Sequence, residues 1–177
     1  MHFRIVHFNK LISTNDYVHD MAQKGAREGL VVVSDYQTKG RGRYERRWVC
    51  PRKKGLLFSL LLKPRWPVNR APVLTQWMAK AVQKTLLEQT GLPTRLKRPN
   101  DLMVGRKKLC GILAESYSHS TRLDHVVVGV GLNVTSRERE LVRGATSIWE
   151  QSRSKINPRQ LLEPILRHFE ALYEEQS

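Results

Sequence analysis

Apolar residues along this chain follow two rhythms. Short β-branched or leucine-rich runs predict strands: FRIVHF at 3–8, LVVVSDYQT from Leu30, LLFSLLLKP from Leu56 (closed by Pro64) and HVVVGVGLNVT from His125. Between Val73 and Gln89, Val73, Leu74, Trp77, Met78, Val82, Leu86 and Leu87 recur at steps of three and four, which predicts an amphipathic helix stopped by TGLP. Polar punctuation supplies the remaining elements. STND at 13–16 is a helix N-cap, so a first helix is expected over 14–26, ending near Gly29. TRLK reads as a strand running into the turn RPND, and LMV and KLCGILAESY flank GRK as a hairpin. A last helix is expected over NPRQLLEPILRHFEALYEE, with Asn157 as N-cap and Pro158 in the first position. There is no internal repeat and no heptad pattern. The layout predicts one α+β domain over 1–177, a mixed β-sheet flanked by helices.

Composition narrows the class of partner. Of 177 residues 40% are apolar, in well-separated runs, so the chain can bury a core. The net charge is +15, and residues 39–54 alone carry eight basic side chains against Glu45. Such a surface seeks anions, whether a nucleic-acid backbone, a membrane or the phosphates of one small molecule. Cys50 and Cys110 are isolated, which argues against a zinc site and a disulfide framework. No stretch resembles a signal peptide or approaches the roughly 20 apolar residues of a membrane span, so a reduced, cytoplasmic protein without membrane contact is expected.

Three stretches carry candidate chemistry. In GRGRYERRW, Gly40 and Gly42 allow backbone N–H groups to approach a ligand closely. Arg41 and Arg43, two apart, would point the same way in an extended backbone and grip one oxyanion, and Trp48 offers a flat face to cover a base or pack the loop down. The stretch is neither a Walker A motif nor GxGxxG. In LKRPND, Lys97 ends a strand before a proline turn, where a fixed ammonium could meet an anionic reacting group while Asn100 and Asp101 orient it or hold Mg²⁺. In VGVGLNV, glycines within a strand mark a bulge or a ligand lying against the backbone, with Asn133 at the end.

Taken in order, STND, DYQTKGRGRYERRW, KRPND…KLCGIL and VGVGLNV resemble the catalytic domain of biotin–protein ligases over about residues 3–175. The resemblance implies a sheet-and-helix fold shared with lipoate ligases and octanoyl transferases. It also implies a two-step reaction: biotin and ATP·Mg²⁺ give biotinyl-5′-AMP and pyrophosphate, and a lysine of a biotin carboxyl carrier domain then takes the biotinyl group. The family pattern places biotin against Ser13, Thr14, Asn15, Gln37, Gly40, Arg41, Gly42, Arg43, Lys97, Gly111 and Gly129. It places the nucleotide near Arg43, Arg46, Trp48, Asn100 and Asn133, and Mg²⁺ at Asp101. Lys97, with Arg41 and Arg43, would neutralise charge as carboxylate and α-phosphate meet. The basic loop would close over the adenylate and keep water off it.

The chain departs from the family pattern at Glu45, where a glycine is usual, and at Arg98, where a tryptophan is usual. An acid at 45 could compete for Arg43 or Arg46. The expected organisation is a catalytic domain alone, without the N-terminal helix-turn-helix or C-terminal SH3-like domain of many relatives, and without specific DNA binding; a homodimer is left open. Two other readings stay on the page. One is a lipoate ligase or octanoyl transferase, the latter using a cysteine such as Cys110. The other is a non-enzymatic basic module that binds nucleic acid through its phosphates.

Overall fold

A computed structural model of the chain describes residues 1–44, 46–119 and 121–175. Seven strands form one sheet: β1 (Arg4–Phe8), β2 (Leu30–Ser34), β3 (Gly55–Leu62), β4 (Arg95–Lys97), β5 (Asp101–Val104), β6 (Lys107–His119) and β7 (Arg122–Asn133), in the order β1-β2-β3-β7-β6-β5-β4. Among the described residues only β1 and β2 pair as parallel strands, through the crossover helix α1 (Thr14–Gln23); the other neighbours are antiparallel. Three further helices follow: α2 (Pro72–Thr90), α3 (Ile148–Ser152) and α4 (Leu162–Glu174). This is the expected α+β architecture.

The pleat sorts side chains between the two faces. On β3, Leu56, Phe58, Leu60 and Leu62 join Val126, Val128, Val130 and Leu132 of β7 in the main core, against Leu74, Met78, Val82 and Leu86 of α2 and Ile165, Leu166 and Phe169 of α4. The alternate positions face α1, where Leu61 and Val127 pack on Val18 and Ala22. Both central strands are covered on both sides, which is why they read as unbroken apolar runs.

Local chemistry sets the helix ends. The Ser13 side chain accepts the Asp16 amide at the start of α1. That helix stops at Gln23, short of the expected 26, because Gly25 turns left-handed at φ 85°. Asn157 does cap, with Pro158 next, but the turn it starts is a 3₁₀ turn (Pro158–Leu161) that leads into α4. Helix α3 was not anticipated; its five residues are too short for any periodicity, and Ser147 caps it.

Candidate active site

On the α1 side of the sheet, one row of register partners crosses five strands: Leu57 of β3, Gly131 of β7, Gly111 of β6, Asp101 of β5 and Lys97 of β4. The two glycines leave a bare strip in the middle of this row. Trp48 lies on it, so close that a Cβ at Gly131 would stand 2.4 Å from its ring and one at Gly111 3.1 Å. Its Nε1 is buried and has no partner among the described residues. The alternating glycines of VGVGLNV are therefore required by what lies on the strand. Gly129, two residues earlier, makes the same kind of room for α1: a Cβ there would come within 2.0 Å of Asn15 Oδ1.

Above this strip is a cavity of about 330 Å³. Ser13, Thr14, Asn15, Gln37, Arg41, Gly42, Arg43, Arg46, Trp48, Lys97, Asn100, Asp101, Gly111 and Gly129 all line it, so almost every residue singled out from the sequence meets in one place. Gly40 and Asn133 do not. Gly40 sits at a close approach to the Trp48 carbonyl and borders a neighbouring recess. Asn133 is buried, donating from Nδ2 to the Thr146 carbonyl at 3.0 Å, outside the lining. A larger groove of about 1100 Å³ at the other end of α1, with Phe3, Val6, Tyr17, Met21, Leu30 and Tyr173 in its walls, contains none of these residues.

Charge distinguishes the smaller cavity. Arg41, Arg43, Arg46, Arg47, Lys97, Arg98 and Lys108 border it, and among the described residues Asp101 supplies the one carboxylate of the lining. Lys108 went unassigned in the sequence, although it opens the KLCGIL motif. Its Nζ stands 2.7 Å from Asp101 Oδ1 and 5.5 Å from the centre of the Trp48 ring, so it reaches back over Gly111 into the cavity. Asp101 is thus paired with a cation. No group of three or more metal-ligating side chains occurs among the described residues. Arg98, at the position of a family tryptophan, brings a further cation to the rim.

The two arginines of GRGR do not act as a matched pair. The loop closes on itself through Gly42 N–H to the Arg46 carbonyl (2.7 Å) and Trp48 N–H to the Gly40 carbonyl (2.9 Å), with an antiparallel bridge between Arg41 and Arg47. Arg41 turns to Asp16 (2.5 Å) and to Glu115. Arg43 lies over the Tyr44 ring at 4.8 Å and donates to its hydroxyl. The two side chains go to different partners, so they do not grip one anion together, and a left-handed residue, Tyr44 at φ 53°, turns the loop directly after Arg43. Glu45 and its expected competition for these arginines lie outside the described residues.

Polar contacts set the α1 wall. Gln37 Oε1 accepts from the Thr14 amide (2.7 Å) and hydroxyl (3.1 Å). Buried Ser59 donates to Asn15 Oδ1 (2.6 Å), and Asn15 Nδ2 donates to Glu115 Oε2 (2.6 Å). Neither thiol reaches the cavity. Burial pushes the Cys50 thiol up to about 12 and holds fully buried Cys110 higher still, within the main core.

This fold and site define a class, and the comparisons agree. The biotin/lipoate A/B protein ligase family matches residues 8–133, more than half of the chain, and the chain belongs to that family. It is 36% identical over 173 residues to the bifunctional ligase/repressor BirA of Bacillus subtilis, covering 96% of this chain and 53% of the relative. It is 32% identical over 168 residues to the biotin–[acetyl-CoA-carboxylase] ligase of Mycobacterium tuberculosis, covering 90% and 60%. The chain thus spans a little over half the length of these relatives. Among solved structures it resembles the biotin protein ligase of Aquifex aeolicus in complex with biotin and ATP (TM-score 0.81, 29% identity, 98% of this chain and 72% of that one). It also resembles the Leishmania major biotin protein ligase in complex with biotinyl-5-AMP (TM-score 0.79, 26% identity, 97% and 75%).

Proposed function

We propose that this chain activates biotin with ATP as biotinyl-5′-AMP and passes the biotinyl group to a lysine of a biotin carboxyl carrier domain. The observation that carries the reading is the cation-lined cavity standing on the row from Gly131 to Lys97. In the first step a carboxylate oxygen attacks the α-phosphorus and pyrophosphate leaves. Both reactants are anions, and fixed cations placed before the reaction offset their repulsion. Lys97 and Lys108, from β4 and β6, are the ammonium groups best placed for that; Arg43 and Arg46 approach from the loop. In the second step the acceptor amine attacks the acyl carbon, AMP departs and the amine loses a proton.

The biotin ring system belongs at the α1 wall, where Ser13, Thr14, Asn15 and Gln37 present polar atoms beside Gly129. The nucleotide belongs nearer Trp48, Arg46 and Asn100. Mg²⁺ is expected to arrive on the triphosphate, because one carboxylate already paired with Lys108 makes no resident metal site, and Asp101 can offer it a single ligand. A cysteine-dependent acyl transferase is disfavoured by the burial of Cys110. A nucleic-acid module is disfavoured because seven of the cations wall one concave cavity, the form of a small-ligand site.

The test is transfer of biotin to a purified carrier domain, with ATP omitted as control. Labelling that requires both ATP and biotin supports the proposal. Labelling driven by lipoate or octanoate instead, or tight duplex DNA binding without any labelling, would replace it.

A further inference from the structure

Arg41 lines the cavity, but its charge is committed elsewhere. One arm of the guanidinium pairs with Asp16 at 2.5 Å, in the first turn of α1, and the other with Glu115 on β6. Glu115 is the better anchored of the two, its side chain 19% exposed against 39% for Asp16. Its second oxygen accepts from Asn15 Nδ2 (2.6 Å), and Asn15 is fixed in turn by buried Ser59 (2.6 Å) and by the bare backbone of Gly129. A continuous chain of contacts therefore runs from the middle of the sheet to the basic loop. Neither acid borders the cavity itself.

We propose that Asp16 and Glu115 are positioning residues that hold Arg41, and through it the loop residues 39–44 and 46–48, against α1 and β6. In this arrangement Arg41 anchors the loop, and Arg43, Arg46, Lys97 and Lys108 are left to meet the anions. A guanidinium between two carboxylates has little charge to offer a third, and the side chain that tethers a loop cannot also swing to follow a ligand. The proposal rests on the ligase reading for its effect on ligand, but not for the tether itself.

Trypsin reads the tether directly, because Arg43, Arg46 and Arg47 lie within the loop. In the ligand-free protein, Glu115→Gln is expected to speed nicking at 43–47 about fivefold and Asp16→Asn about twofold, the modest scale of a half-exposed ion pair. Adding either change to Arg41→Ala should bring no further increase. Asp16 lies at the surface, so its variant keeps the comparison usable if Glu115→Gln folds poorly. In the ligase assay, biotinyl-5′-AMP should leave about fivefold faster from Glu115→Gln, with KM for biotin raised about as much and kcat of pyrophosphate exchange within about twofold. Nicking unchanged in both variants overturns the proposal. So does faster nicking with KM and adenylate release unmoved. If wild-type protein shows no biotin-dependent exchange, the ligase reading fails, and the nicking rates still decide the tether.

Discussion

The two halves of the cavity are built differently. On the sheet side, Lys97, Asp101, Lys108 and the glycine strip belong to strands hydrogen-bonded to their neighbours, beside β3 and β7, which are buried on both faces. On the loop side, the described residues 41–44 and 46–48 are held by a few backbone contacts, the Arg41 ion pairs and the seat of Trp48 on Gly111 and Gly131. The strands that carry the first set of charges are paired before any ligand arrives, and Lys108 is already held by Asp101. The charges on the loop side are fixed only while the loop stays down. The sheet side is therefore suited to stabilising charge as it develops, and the loop side to retaining what has formed.

Two glycines two residues apart on β7 probe this contrast. Gly129→Ala forces a methyl within 2.0 Å of Asn15 Oδ1, and Asn15 is tied on both sides by Ser59 and Glu115. We expect a cost of about 2–3 kcal/mol and a melting temperature lower by roughly 5–10 °C, with biotin binding lost. Gly131→Ala forces a methyl against Trp48, which belongs to the loop and can lift away. Here the stability cost should stay below about 1 kcal/mol, while tryptic nicking at 43–47 rises. Equal melting losses for the two variants, measured by thermal denaturation, would erase the distinction between a rigid and a movable wall.

A smaller effect sits behind Glu115. His19 of α1 and His125 of β7 share a hydrogen bond of 3.0 Å, both stacked with Tyr117 of β6. Burial, reinforced by His19, lowers the His125 pKa in the fold, partly opposed by Asp124. The unfolded chain therefore binds the proton more readily. The stabilisation from neutral His125 is whole above the unfolded value of about 6.5 and is lost as pH falls through and below it. Between pH 7 and 5.5 wild-type protein should lose about 2 °C more in melting temperature than His125→Gln. An identical pH slope in both proteins would show that His125 is not titrating as described.

Much of this was legible beforehand because it is local. The strand runs, the long helix, the caps at Ser13 and Asn157 and the order of the glycine and lysine motifs are all written within a few residues. What the sequence withheld depends on register. Lys97, Asp101, Gly111 and Gly131 share a row only because four strands pair in one alignment, with an irregularity between Leu102 and Met103. Lys108 stood inside a visible motif, but its role became apparent only from Asp101 across the β5–β6 hairpin. Asp16 lies in the first turn of α1 and Glu115 midway along β6, and only the fold sets Arg41 between them. Asn133, assigned to the nucleotide, turned inward to Thr146, a contact across 13 residues that no short motif encodes.

The central claim is that cations fixed on the sheet bring two anions together. Biotin-dependent exchange of pyrophosphate into ATP, compared between the wild-type chain and Lys97→Met, tests it most directly. We expect exchange in the wild-type protein only when biotin is present, and a fall of about a hundredfold or more in the variant, whose melting temperature should be unchanged. Equal exchange rates in the two proteins would contradict the account.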